Sequence, residues 1–422
     1  MFSIIPIKEQ VMYLFPTYTK YSFENNTLIV YSELFKNKIA LDETRFINEF
    51  FSIVENNGCE NIDSELKEFL HNQDLLQSKE EINECIRTLK DIYNKCFFIT
   101  ILPTEACNFH CRYCYETHQS RFMSKGQYRT ILEYIKHNLN RIDNLVINWF
   151  GGEPLLENEA ILSFMERING FNLENINFVS NMTTNGYLLK KELFLHLYNL
   201  GVTNFEITLD GPQHDLLRKT VSGEGTYDTI LKNLIDISHL PRIFDFSITI
   251  RRNLLNQESD TSWYREVINL LDNDKRFYFF PAIINDWGGA EVKRLNLIKE
   301  EDKKQLRNYH NLFLDENKIQ RYGKGKEVFS HICQSSCKNG LIFRPNGNIE
   351  KCTIALGHDK NIVGSFTERG QVDIGDENKI WCNSMLQDEC YQCDDLLACM
   401  NLSCRKKIVI DGGNDYICVC KQ

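Results

Sequence analysis

Short apolar runs open the chain. Val11–Pro16, Tyr18–Phe23 and Thr27–Tyr31 are rich in the β-branched and aromatic residues that favour strands. The period then lengthens. Phe46, Phe50, Ile53 and Val54 mark one helical face, and Leu66, Leu70, Ile82 and Ile86 mark two more. Strands followed by helices predict a small α+β domain of winged-helix type over residues 1–95. From residue 96 the texture becomes a regular alternation. Strand candidates at Phe97–Leu102, Leu145–Phe150, Ile176–Ser180, Asn204–Leu209, Phe244–Ile250 and Phe277–Ile283 enclose helix-like stretches at Tyr128–Leu139, Leu156–Ile168, Lys190–Leu200, Tyr227–Ile237 and Ser262–Leu271. Six strand–helix units predict parallel strands, hence an α/β sheet or partial barrel. In such barrels the chemistry sits at the C-terminal ends of the strands. A charged stretch over Lys299–Lys318 leads to a Gly-punctuated tail. The chain therefore divides at 1–95, 96–325 and 326–422, in line with the two or three domains expected of 422 residues.

Composition narrows the class. The 42% hydrophobic and 12% aromatic content suits a globular protein. No apolar run approaches the ~20 residues that span a bilayer. The first ten residues lack a basic segment, an apolar stretch and a cleavage site, so a cytoplasmic protein without membrane attachment is expected. A net charge of -10 argues against general nucleic-acid binding. Sixteen cysteines are the anomaly. Cys59, Cys85 and Cys96 are scattered, Cys107, Cys111 and Cys114 are clustered, and the other ten follow residue 332. A disulfide framework would not leave the two hundred residues after Cys114 unstapled. The distribution reads as two metal regions.

The first is Cys107-Asn-Phe-His-Cys111-Arg-Tyr-Cys114, directly after the first barrel strand. A [4Fe–4S] cluster normally takes four cysteines, so three on one short loop leave an iron open for a chelating cofactor. The rival readings are a zinc site that borrows His110 or His118, or three core thiols. The C-x3-C-x2-C loop, followed by Gly151-Gly152-Glu153-Pro154 at the second strand end, resembles the radical S-adenosylmethionine (SAM) superfamily over about residues 96–290. The resemblance implies a partial (β/α)6 TIM-like barrel in which Cys107, Cys111 and Cys114 hold a catalytic [4Fe–4S] cluster. SAM would chelate the open iron, and its one-electron cleavage would give a 5′-deoxyadenosyl radical that abstracts hydrogen. It further implies that Gly151, Gly152 and Glu153 admit the SAM methionine group, and that Thr184 and Asn185 contact the ribose. Asp210 closes strand four, Arg218 would pair with the SAM carboxylate, Arg251 follows strand five, and the Tyr113 backbone would lie near adenine.

The second region reads Cys333-x3-Cys337-x9-Gly347-x4-Cys352, then Cys390-x2-Cys393-x5-Cys399-x4-Cys404, then Cys418 and Cys420. It resembles the SPASM extension, with one residue too many before Cys404. The resemblance implies two auxiliary [4Fe–4S] clusters, three clusters in all. One would use Cys333, Cys337, Cys352 and Cys404; the other Cys390, Cys393, Cys399 and Cys418, with Cys420 a rival for the last place. Cys382 is a spare, and Cys85 and Cys96 read as buried thiols. A pair of structural zinc sites is the competing account.

SPASM-bearing proteins mostly act on peptides, and residues 1–95 resemble the precursor-recognition domain of maturases of ribosomal peptides. There a leader peptide would add a strand to a sheet edge. The expectation is a maturase that installs an intramolecular crosslink, a thioether first and a C–C or C–O link second, with flavodoxin or ferredoxin as external electron donor. A sulfatase-maturing, formylglycine-forming enzyme is the alternative, but that branch carries an Asp where this chain has Thr353. A non-catalytic iron–sulfur carrier or zinc scaffold would need no open iron.

Overall fold

The computed structural model describes residues 12–412 except 17, 26, 256–258, 290, 324–331, 384–385, 387, 394–395 and 401–403. The expected strand start at Val11 and the ligand candidates Cys418 and Cys420 lie outside the described residues. The chain forms two compact units, neither contiguous in sequence.

One unit comprises Met1–Asn94, Lys326–Ser336 and Asn383–Gln422, in their described parts. Strand β1 (Tyr13–Leu14) pairs with β5 (Gln77–Ser78), while β2 (Thr19–Glu24), β3 (Thr27–Ser32) and β4 (Lys38–Leu41) form an antiparallel sheet. Helices α1 (Thr44–Glu55), α2 (Glu65–Asn72) and α3 (Lys79–Asn94) complete the α+β order expected from the sequence. Leu28, Val30, Ile39 and Leu41 bury against Phe50, Ile53, Leu66 and Leu70. A second apolar cluster joins Tyr18, Ile82 and Ile86 to Tyr391, Leu396 and Met400 of the tail.

The other unit comprises Lys95–Gly325 and Cys337–Cys382. Its elements are β6 (Cys96–Ile101), β7 (Phe109–Cys111), α4 (Lys125–Asn138), β8 (Asn144–Trp149), α5 (Asn158–Asn169), β9 (Asn177–Thr184), α6 (Lys191–Asn199) and β10 (Val202–Thr208). There follow α7 (His214–Leu217), β11 (Arg218–Thr220), α8 (Tyr227–Ser238), β12 (Ser247–Leu254), α9 (Ser262–Leu270), β13 (Phe277–Ile283) and α10 (Glu300–Glu316). The tail segment supplies β14 (Gly340–Phe343), β15 (Asn348–Glu350), β16 (Ile362–Phe366), β17 (Val372–Ile374) and α11 (Glu377–Cys382).

Among the described residues, ten strands form one mixed sheet in the order β13-β12-β10-β9-β8-β6-β14-β15-β16-β17. The six barrel strands run parallel and sit beside their sequence neighbours, as helix-connected crossovers require. All C-terminal ends therefore open on one rim. Residues such as Ile99, Ile147, Trp149, Ile207, Ile250 and Phe279 are buried on the sheet. Capping fixes the helix that follows the cysteine loop: Ser124 and Gln127 close a capping box on α4.

Two strands differ from expectation by three residues or more. The third strand runs on to Thr184, and the fifth spans Ser247–Leu254 rather than Phe244–Ile250. Both have ladder partners on each side, which satisfy the backbone beyond the point where apolar alternation stops. So Thr184 and Arg251 stand on strands, not in the loops after them. The tail also extends the sheet. β14 is buried throughout and joins β6 in parallel, and β15–β17 extend the sheet antiparallel. Among the described residues no helix is long and apolar enough to cross a membrane.

Candidate active site

The three-cysteine loop is held from both sides. Its middle is strand β7, which pairs antiparallel with β11 and sets Cys111 opposite Arg218. Arg112 N–H donates to the Leu217 carbonyl at 2.9 Å, and Val221 N–H to that of Asn108 at 3.0 Å. The glycine pair explains how the second strand end meets this loop. A Cβ on Gly151 (φ +115°) would lie 2.4 Å from the Thr104 carbonyl oxygen, and one on Gly152 would lie 2.3 Å from that of Ala106. Only glycine permits so close a backbone approach. Asn185, just past the third strand, donates from Nδ2 to Asn108 Oδ1 at 2.8 Å.

These elements enclose a cavity of about 380 Å³ at the rim. Of the residues singled out in the sequence, Cys107, Cys111, Tyr113, Cys114, Gly151, Gly152, Thr184, Asn185, Arg218 and Arg251 all line it. Glu153 and Asp210 do not; each is a fully buried bracket behind the wall. The Glu153 carboxylate accepts from Thr184 Oγ1 at 2.7 Å, Asn185 N–H at 2.8 Å and Leu155 N–H at 2.9 Å. Asp210 accepts from Asn253 N–H at 2.8 Å and from the Tyr113 hydroxyl. Tyr113 therefore contributes more than backbone. Its hydroxyl also accepts from Arg218 Nη1 and Asn253 Nδ2, both at 3.0 Å.

The electrostatics follow from this burial. Desolvation pushes the Cys107 and Cys114 thiols up to about 12, and Cys111 also upward despite Arg218 beside it. Metal-free, the loop keeps its protons; iron binding would release them. Burial works against the Arg218 charge, but Cys111, Tyr113 and Asp210 outweigh it and hold the guanidinium protonated. Its Nε is buried with no hydrogen-bond partner, a donor left over on a cavity-lining residue. Arg251 is held by Glu206 Oε1 at 3.5 Å and donates to Asn253 Oδ1 at 2.9 Å.

The donor set fits the groups that the sequence implies. Three thiols line the cavity, with a spare guanidinium donor suited to a carboxylate and polar strand ends suited to a ribose. A single zinc ion needs ligands gathered within about 2.3 Å of one point. Among the described residues no three Cys, His, Asp or Glu side chains are drawn together as a metal ion would hold them, those of the cysteine loop included. His118 is nevertheless close, its Nε2 3.4 Å from Cys114 Sγ.

Thr353 also lines the cavity, as do Glu116, Trp287 and Ile354, which the sequence reading missed. Burial first, then Glu105, pushes the Glu116 carboxyl up to about 7 against the pull of Arg344. The Tyr115-Glu116 pair directly after Cys114 was the available signal for Glu116; nothing in the sequence pointed to Trp287. Gly289 (φ +97°) marks a close approach there, because a Cβ would sit 2.5 Å from the Cys114 carbonyl oxygen.

The tail cysteines fall in both units. Cys333, Cys390, Cys393, Cys399 and Cys404 belong to the first, and Cys337, Cys352 and Cys382 to the second. Cys390 and Cys399 both act on the Lys90 ammonium, which burial and Arg405 push downward. The Cys337 thiol, buried and raised to about 12, feels Cys96 and Cys382, two residues the sequence reading had set aside. Lys351 Nζ donates to the Cys337 carbonyl at 2.6 Å and lies 3.9 Å from Cys382 Sγ.

Comparison with known proteins agrees with this geometry. Residues 101–253 match the model of the radical SAM superfamily. A GTP 3′,8-cyclase of Campylobacter fetus subsp. fetus is 29% identical over 210 residues, covering 47% of this chain and 59% of that protein. One from Haemophilus ducreyi is 30% identical over 146 residues, covering 32% and 39%. The chain thus spans about six tenths or less of the length of these relatives. Among solved structures, native anSMEcpe with bound AdoMet and Kp18Cys peptide aligns with TM-score 0.54 at 18% identity, covering 72% of this chain and 88% of that one. Streptococcus suis SuiB bound to precursor peptide SuiA aligns with TM-score 0.53 at 15% identity, covering 96% and 98%. At these identities the likeness concerns the fold. The likeness to the radical SAM superfamily is thus carried by residues 101–253.

Proposed function

We propose that the chain is a radical SAM/SPASM maturase of a ribosomally made peptide, installing an intramolecular crosslink, thioether first and C–C or C–O second. The observation that carries the reading is the single cavity shared by Cys107, Cys111, Cys114, Gly151, Gly152 and Arg218. A [4Fe–4S] cluster with SAM bound supplies one-electron cleavage of SAM and a 5′-deoxyadenosyl radical that abstracts hydrogen. The chain's own residues have other tasks. The three thiolates hold iron, and the spare Nε of Arg218 meets the SAM carboxylate. Arg251, Thr184 and Asn185 orient the remainder. The apolar wall at Ile283, Ile284 and Ile354 keeps water from the reacting carbon.

Support for a peptide substrate comes from the near full-length fold likeness to SuiB, solved with its precursor peptide. The α+β unit adds a sheet edge at β2, where Tyr21 and Phe23 are exposed. A leader peptide would pair there. The tail cysteines carry two auxiliary clusters in this reading, and a flavodoxin or ferredoxin supplies electrons. Thr353 faces the cavity where a formylglycine-forming enzyme would need a carboxylate base, which weighs against that alternative.

The cyclase relatives raise a nucleotide substrate as a second reading. A triphosphate calls for a cluster of cations. Among the described lining residues the cations are Arg218 and Arg251, with His118 beside them, and both arginines already have partners.

The test is mass spectrometry of a precursor peptide, encoded beside the gene and co-expressed with the enzyme. A loss of two hydrogens that maps to a crosslink is expected. An unmodified peptide, or conversion of GTP instead, would overturn the reading.

A further inference from the structure

Two carboxylates far apart in sequence share one cation. Glu105 stands two residues before Cys107, and Glu350 two before Cys352. Arg344, only 9% exposed, donates from Nε to Glu105 Oε1 at 3.0 Å and from Nη1 to Glu350 Oε1 at 2.6 Å. Beyond Glu105 the contacts run into the three-cysteine loop. The Glu105 carbonyl lies 3.3 Å from His118 Nδ1, and His118 Nε2 lies 3.4 Å from Cys114 Sγ. Beyond Glu350 they run into the tail turn. Glu350 Oε2 accepts from Asn361 Nδ2 at 2.8 Å. Asn361 brackets Cys352, accepting from its N–H at 2.9 Å and donating to its carbonyl at 2.9 Å. The next two residues, Thr353 and Ile354, form part of the cavity wall.

Stability alone is a weak reason for such a buried ionic link, since apolar replacements are often as stable; fixing a register is the better attested use. The residue type agrees. A guanidinium fork spans two carboxylates at fixed angles, which a lysine ammonium does not.

We infer that Arg344 is a positioning residue of the SAM cavity. It ties the start of the three-cysteine loop to the Cys352–Ile354 turn, so the cluster-bearing wall and the tail wall keep one spacing. The inference rests on the reading of this cavity as the SAM site.

The test uses full-length protein reconstituted anaerobically with iron and sulfide. The dithionite-reduced EPR spectrum is recorded during a SAM titration, alongside iron content and far-UV circular dichroism. Arg344→Gln is expected to keep its iron and its fold, yet to need about tenfold more SAM for the spectral change. Arg344→Lys should recover only part of the loss. Should Arg344→Gln fail to fold, the near-isosteric Glu350→Gln breaks the same link from the other side and is expected to shift the titration in the same direction. A wild-type SAM titration in a folded Arg344→Gln or Glu350→Gln protein would overturn the role. A wild-type protein whose spectrum ignores SAM would instead overturn the reading of the cavity.

Discussion

At the scale of single residues, the site depends on a few buried polar groups with assigned partners. Tyr113 is the clearest, because one hydroxyl serves Asp210, Arg218 and Asn253 together. Tyr113→Phe removes all three of these bonds, at a cost of about 2–3 kcal/mol. Chemical denaturation should show that loss, and SAM affinity should fall with it as Arg218 loses its anchor. His214 gives a pH signature. Its Nδ1 accepts from the Asp210 N–H at 3.0 Å, and its Nε2 meets Thr226 Oγ1 at 3.0 Å, so the neutral ring is the one the structure holds. Burial, aided by Arg218, pushes its pKa down from 6.5 to about 2. Between those values the unfolded chain binds the extra proton, so stability rises with pH and is lost as pH falls below the unfolded value. The loss should reach about 1.4 kcal/mol per pH unit for this one group. Urea midpoints at pH 7.5 and 5.5 should therefore converge in His214→Gln relative to the native chain. The sequence made Tyr113 visible as a residue of the cysteine loop and Asp210 as a strand-end residue, but not their partnership, since side-chain bonds between positions 97 residues apart leave no local pattern.

At the scale of elements, periodicity was a good guide wherever a strand or helix ran several residues. All six barrel strands were legible, as was the position of the cysteine loop after the first. The short pieces were not. β7 and β11 have three residues each, and β14 has four, too few for a period to declare itself. Yet β7–β11 is what sets Cys111 against Arg218. β14, paired in parallel with β6, makes part of the tail a continuation of the sheet. The glycine pair belongs to this scale because it governs how one element abuts another. Gly152→Ala would drive a methyl into the Ala106 carbonyl and push the cysteine loop away from the second strand end. A destabilisation of about 1–3 kcal/mol is expected. Iron retained per chain after anaerobic reconstitution should drop with it, whereas Gly223→Ala, in open space, should leave iron unchanged.

At the scale of the whole molecule, the chain holds a stretch that matches the radical SAM superfamily, a cysteine-rich tail and an α+β unit with a sheet edge at β2. Its chemistry is concentrated on one rim because parallel strands aim all their C-terminal ends the same way. The class of chemistry was readable from two motifs, since open-cornered ligation and a glycine strand end are local features. The substrate was not, because a peptide is chosen by surfaces and pocket walls that carry no fixed spacing. The central claim is that the loop from Cys107 to Cys114 carries a cluster with one iron left for SAM. Anaerobically purified protein incubated with SAM and dithionite tests it most directly. The account requires 5′-deoxyadenosine from the native chain and none from Cys111→Ala at matched protein concentration. A native chain that yields none, while binding zinc at those thiols, would contradict it.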